Sequence, residues 1–256
     1  MAYVEINALS TVLGGSFTAR AFLPGLDRLD LEDARHQKRY PVLWLLHTDG
    51  ETSLEFLKTP VEGLAERYGF IAIAPDLHHS MGVDMKWGPN VEKFLTHELR
   101  GIFKHILPVS ALREENFIGG TGTGGYAALK CACKHPSLFS KAFSLNGILD
   151  MERLIARTSS GEVTGVPQTA EALEAVFGGA AEFAGGPDDL FSLAERSQES
   201  AFYLCAEKGF DYYEDSRALA ALLGEKAAFV SLDAGADCES CQVSMRGQVA
   251  VSVREG

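Results

Sequence analysis

Residues 116–130 read Asn116-Phe117-Ile118-Gly119-Gly120-Thr121-Gly122-Thr123-Gly124-Gly125-Tyr126-Ala127-Ala128-Leu129-Lys130. A short apolar run, Phe117 and Ile118, enters a knot of five glycines and two threonines. An alanine-rich helical pattern follows at once. The stretch therefore reads as strand, sharp turn, helix. Two devices use that geometry. One is a nucleophile elbow, small-x-nucleophile-x-small, which lifts one side chain at the mouth of a sheet. The other is a phosphate-cradling loop, and Gly120-x-Gly122-x-x-Gly125 satisfies the dinucleotide spacing. If the first device applies, the nucleophile's place is held by Gly122, which has no side chain.

Working outward, Pro41 to His47 and Gly69 to Asp76 are continuous apolar runs of strand length, the pattern of parallel strands buried on both faces. Lys141 to Gly147, Ala201 to Cys205 and Ala228 to Leu232 add further strands. Helical patterns separate them: one through Val61, Leu64, Ala65 and Tyr68, a long one from Val91 to Leu107, the glycine-led one ending at Pro136, and Tyr212 to Leu223. Tyr3 to Leu9 and Ser16 to Leu23, around Gly14-Gly15, read as a lead-in hairpin. Leu26 to Arg39 is charged and reads as an exposed loop. Alternating strands and helices predict an α/β chain, a mostly parallel twisted sheet with helices on both faces. We expect one domain over residues 1–256, with 157–186, rich in Gly, Ala, Ser and Thr, as a mobile cap-like insertion carrying a weak helical patch at Glu171 to Phe177.

Composition narrows the partners. Of 256 residues, 46% are apolar and 23% charged, an ordinary globular balance. The net charge of −12 argues against nucleic acid and against an anionic membrane, since both need a basic face. No signal-peptide pattern and no apolar run of spanning length is present. Five cysteines form no disulfide framework, which favours a cytoplasmic location.

The chain resembles the esterase D group of α/β-hydrolases, which includes S-formylglutathione hydrolases and tributyrin esterases. The matching pieces are Tyr40 to His47, the turn with Gly124 to Lys130, His135 to Phe139, Ser144 to Gly147, Val176 to Gly178, Asp189 to Ala194 and Cys205 to Phe210. The resemblance implies an α/β-hydrolase fold and a serine at the position of Gly122. It places the acid at Gly209, with Asp211 two residues on and aimed elsewhere. It places the histidine at Asp237 or Cys238, with Asp237 preferred. Independently, the histidines are His36, His47, His78, His79, His97, His105 and His135, and none follows the elbow helix. The order nucleophile, acid, base cannot be met. The family's oxyanion loop, His-Gly with more glycine, here reads His47-Thr48-Asp49-Gly50. A carboxylate there opposes a developing anion unless it turns to solvent.

These readings lead to a non-catalytic pseudo-esterase that binds a small-molecule ligand or a protein partner, with Thr48, Asp49, Gly122 and Thr123 as pocket candidates and no metal or cofactor. Two alternatives stand beside it: an ester hydrolase working through unidentified residues, and a nucleotide-binding module. The fingerprint's acidic residue is missing, because the next strand ends Leu145-Asn146-Gly147. Thr121 and Thr123 read as caps of helix-start N–H groups. His78 and His79 read as a solvated loop, Cys131 and Cys133 as buried small hydrophobes, and Cys238-Glu-Ser-Cys241 as a lone CxxC. Gln248 to Arg254, with valine at every second place, reads as a strand at a sheet edge or across an interface, which leaves a homo-oligomer open.

Overall fold

The computed structural model describes residues 2–25, 39–162, 164, 166–197 and 200–233. Most of the charged loop 26–39 lies outside these residues. So do Asp237, Cys238, Cys241 and the valine-alternating tail.

The chain opens with β1 (Ala2–Ser10) and β2 (Gly15–Leu23), an antiparallel hairpin paired from Ala2 opposite Leu23 to Ser10 opposite Gly15. Six more strands follow: β3 (Val42–Leu46), β4 (Ile71–Pro75), β5 (Asn116–Thr121), β6 (Lys141–Leu145), β7 (Ala201–Glu207) and β8 (Ala227–Leu232). They form one eight-stranded sheet in the order β1-β2-β4-β3-β5-β6-β7-β8. From β4 to β8 every pairing is parallel, while β2 meets β4 antiparallel. Every residue of β3 and β4 is buried, which is why those runs are apolar without alternation.

The described helices are α1 (Val61–Tyr68), α2 (Val91–Lys93), α3 (Arg100–Ile106), α4 (Gly122–Lys134), α5 (Met151–Ser159), α6 (Ala170–Phe177), α7 (Ala180–Phe183), α8 (Leu190–Arg196) and α9 (Tyr213–Leu223). They cover both faces of the sheet, and β3 shows this through its alternation. Val42, Trp44 and Leu46 pack with Tyr126 to Leu129 of α4, whereas Leu43 and Leu45 pack with Val61 and Ala65 of α1. This is the α/β-hydrolase architecture expected from the sequence.

Two elements depart from the sequence reading. The long helix expected over 91–107 is not uniform, because Phe94–Leu99 between α2 and α3 is a π-helix. Thr96 Oγ1 donates to the Glu92 carbonyl at 2.8 Å, a back-bond to residue i−4 that accompanies the widened turn. The wider turn brings Glu92, Thr96 and Arg100 inward and leaves Ile106 half exposed. Arg100 then donates to Asn116 Oδ1 at 3.1 Å and lies over the rings of Trp44 and Phe139. The second departure is α5, which starts before the expected insertion. Asp150 caps it by accepting from the Arg153 N–H at 2.9 Å, and Met151, Leu154 and Ile155 are buried at helical spacing. The helical patch at 171–177 belongs to α6, whose Leu173, Val176 and Phe177 join the main core with Phe183 of α7.

Candidate functional site

β5 delivers Thr121 at its carboxyl end, and α4 begins with Gly122. Gly122 has φ of +52°, left-handed backbone that glycine enters at little cost because the clash there comes from Cβ. Its carbonyl accepts from Ile148 N–H at 3.0 Å, which fixes the turn against the segment after β6. Around it the chain is stripped of side chains for close packing. A Cβ at Gly124 would strike the Leu46 and His47 carbonyls, and one at Gly125 would strike Ser144 Oγ. The glycine run is thus accounted for by α4 lying bare against β3 and β6.

Thr48, from the loop after β3, sits over the apex. A Cβ on Gly122 would lie 2.9 Å from Thr48 Cβ and nearer still to Thr48 Oγ1. Two backbone N–H groups near the apex, one from this turn and one from the loop after β3, are also engaged. Thr123 N–H faces Thr48 Oγ1 at 3.4 Å, a long contact, and Asp49 N–H donates to Thr123 Oγ1 at 2.7 Å. In working sites of this architecture the N–H after the nucleophile and one from the β3 loop form the oxyanion hole. Here the two threonine hydroxyls accept from the corresponding N–H groups. The capping role expected for Thr121 and Thr123 needs correction. Thr123 serves the neighbouring loop, not its own helix, and Thr121 Oγ1 donates to Glu55 Oε1 at 2.9 Å. Burial holds the Glu55 carboxyl above its ordinary range, opposed by that hydroxyl.

Asp49 does not turn to solvent. Its side chain is 4% exposed, and it accepts from Gln168 Nε2 at 2.5 Å. His79 Nδ1 lies 3.3 Å from the same carboxylate. His78 and His79 are both exposed, although His79 also reaches the buried Asp49. In their loop His78, His79 and Met81 all have positive φ, a strain that surrounding structure must hold. Gln168 and Pro167 bring the segment before α6 onto this loop, where a Cβ on Gly50 would lie 2.6 Å from Pro167 Cγ. His47 is buried, with Nε2 accepting from Leu77 N–H at 2.9 Å and Nδ1–H donating to the Thr48 carbonyl at 2.8 Å. Burial pushes its pKa down, so it stays a neutral brace.

The remaining positions are elsewhere. Gly209 has φ of +92° in the turn after β7. Asp211 Oδ2 lies 3.7 Å from Arg157 with its side chain exposed. Asp237 and Cys238 are outside the described residues. No group of three or more His, Cys, Asp or Glu among the described residues could hold a metal ion. No described helix is long and apolar enough to cross a membrane.

A family model described as "Putative esterase" matches residues 10–216. The chain belongs to the esterase family. An acetyl esterase of Caldicellulosiruptor saccharolyticus is 27% identical over 161 residues, a match spanning 60% of this chain and only 59% of that protein. Among solved structures, FphF, a fluorophosphonate-binding serine hydrolase of Staphylococcus aureus with substrate bound, superposes with a TM-score of 0.84 at 21% identity, covering 98% of both chains. The S-formylglutathione hydrolase FrmB of Staphylococcus aureus superposes at 0.80, again with 21% identity and 98% of both chains. The family match bears out the esterase resemblance read from the sequence, and the superpositions bear out its α/β-hydrolase fold.

Proposed function

We propose that this chain is a pseudo-esterase, a member of the esterase family that keeps the elbow as a frame and binds a small-molecule ligand or a protein partner without hydrolysing it. The observation that carries the reading is Thr48 over Gly122. The apex residue carries no side chain, and the space one would fill holds the hydroxyl and Cβ of Thr48. That hydroxyl also faces the first oxyanion donor, and the second is taken by Thr123. A tetrahedral intermediate would find neither an attacking group nor a free donor pair. Removing a single member of such a constellation already costs most of the rate.

The test is labelling with a fluorophosphonate probe together with turnover of p-nitrophenyl acetate and butyrate. No label and no turnover above a protein blank are expected. Stoichiometric labelling, or turnover that survives further purification, would overturn the reading.

One observation favours a second reading, an ester hydrolase working through other residues. His79 and Asp49 form an acid–base pair in loops that border the apex, with the His79 side chain 66% exposed. In that reading His79 takes a proton from water, the hydroxide attacks the ester carbonyl, and the alkoxide leaves with a proton returned by the imidazolium. The fluorophosphonate probe stays silent, but ester turnover is present and disappears in His79→Ala. The dinucleotide reading loses its main support, since close packing already accounts for the fingerprint glycines. A thermal shift with a nicotinamide dinucleotide tests it directly, and none is expected.

A further inference from the structure

A cleft of about 270 Å³ opens between the loop at Asp84 to Lys86 and the pair α6–α7. Val176, Phe177 and Phe183 form its apolar walls, with the two phenylalanine rings edge to face at 5.0 Å. Asp84, Lys86 and Glu182 lie around it, and Asp188 closes the inner side. Asp188 is answered from behind by Lys130 at 3.0 Å and Lys134 at 3.3 Å, and both lysines also meet buried Glu92. Lys86 is held by Glu182 at 2.8 Å, a half-exposed pair that stabilises little and breaks readily. Among the described residues four carboxylates thus face three ammonium groups, and the one without an ion-pair partner there is Asp84. Its Oδ1 accepts only the Lys93 backbone N–H, at 2.9 Å. Apolar and aromatic walls with one unanswered carboxylate at the rim are what a cation with an apolar body fits.

We propose that this cleft binds a small organic cation, a primary ammonium on an aromatic or branched apolar body of about ten non-hydrogen atoms, a size set by a volume just below the usual ligand-pocket range. The ammonium sits against Asp84 and competes with Lys86 for Glu182, and the body lies along Phe177 and Phe183. A metal ion does not fit this description, since no described cluster offers three ligating side chains. The inference is independent of what happens at Gly122, so an empty cleft would leave the pseudo-esterase reading untouched.

The test is a titration followed by amide NMR with phenethylamine as the probe and 3-phenylpropionate as the same shape with opposite charge. Phenethylamine is expected to shift the amides of Asp84, Gly178 and Glu182, at least about fivefold more tightly than the carboxylate, and more weakly as salt is raised. Asp84→Asn keeps an acceptor for the Lys93 N–H, so it is expected to fold normally. It should weaken phenethylamine by about fivefold or more. Equal binding of the two probes, an unchanged affinity in Asp84→Asn, or no cleft shifts at about 10 mM amine would overturn the proposal.

Discussion

Helix α4 carries two very different ends. At its start the helix itself offers only small, uncharged groups, Gly122, two threonine hydroxyls and glycines pressed against bare carbonyls, with the carboxylates of Asp49 and Glu55 supplied by neighbouring segments. At its far end Lys130, wholly buried, meets Glu92 at 2.7 Å and Asp188 at 3.0 Å, donates to the Gly82 carbonyl at 3.2 Å, and lies 5.8 Å from the centre of the Tyr126 ring. Lys134 and His135 Nε2 also reach Glu92, at 2.9 and 2.8 Å. The helix itself contributes no charged side chain at the apex end, while its far end is crowded with paired charge. Breaking a buried pair strands the remaining partner. The helix is therefore anchored from behind, independently of which residue stands at the apex.

The contrast can be broken most forcefully at Lys130. Lys130→Met leaves Glu92 and Asp188 short of a buried counter-charge and is expected to cost about 3–5 kcal/mol in urea melts. A loss below about 1 kcal/mol would mean that Lys134 alone suffices and that the anchor is misplaced. Acid sharpens the same point. The lysines and His135 hold the Glu92 carboxyl far below its ordinary range, although burial opposes them. Its contribution is present above the unfolded carboxylate value and is wholly lost only as pH falls through the depressed folded value. Stability from Glu92 should therefore begin to fall below about pH 4.5 and go on falling into strong acid, and Glu92→Gln should lower the melting temperature most at neutral pH.

At the other end Gly122→Ser puts a side chain on the apex. A positive φ and the collision with Thr48 together are expected to cost about 1–3 kcal/mol, with no ester turnover gained. Thr48→Gly in the same background removes the collision but not the backbone strain, so part of the loss should return. A double-mutant cycle reads the shared part, and a coupling near zero would show that Thr48 does not occupy the apex in solution. Smaller still is Gln168→Ala, which takes a donor from the buried Asp49 carboxylate and should cost about 1–2 kcal/mol by denaturant melts.

The smallest effects concern titration and thiols. Glu55 has a raised folded pKa, so it destabilises the fold as pH rises from its ordinary value of 4.5 through the raised one. Glu55→Gln should flatten that decline and leave acid stability unchanged. Burial pushes Cys131 up to about 12 and Cys133 up to about 11, so neither should react with a disulfide reagent at pH 8 until the chain unfolds.

What the sequence disclosed was mostly local. The apolar runs at Val42 to Leu46 and Ile71 to Pro75, and the strand-turn-helix at Gly122, signal themselves through neighbouring residues. Helix α5 was legible too, from Asp150 followed by Met151, Leu154 and Ile155, but the Gly- and Ser-rich stretch after it drew the boundary too early. The rest joins residues far apart in the chain. Thr48 and Thr123 are 75 positions apart, Asp49 and Gln168 119 apart. No local pattern says that a threonine hydroxyl will cover a glycine or that a glutamine amide from the segment before α6 will hold a carboxylate. The buried partnership of Lys130 with Glu92 is hidden for the same reason, since either residue alone reads as a solvated helix position.

The bare glycines behind the apex have a consequence for how such chains are recognised. Gly120 meets the backbone of Gly124, Gly124 meets Leu46 and His47, and Gly125 meets Ser144. Each contact exists whether or not anything reactive stands at position 122. A pattern built on the catalytic side chain would pass this protein by, and one built on glycine spacing would file it among nucleotide binders. What the string of glycines encodes is a clearance, the distance at which one helix can lie against two strands.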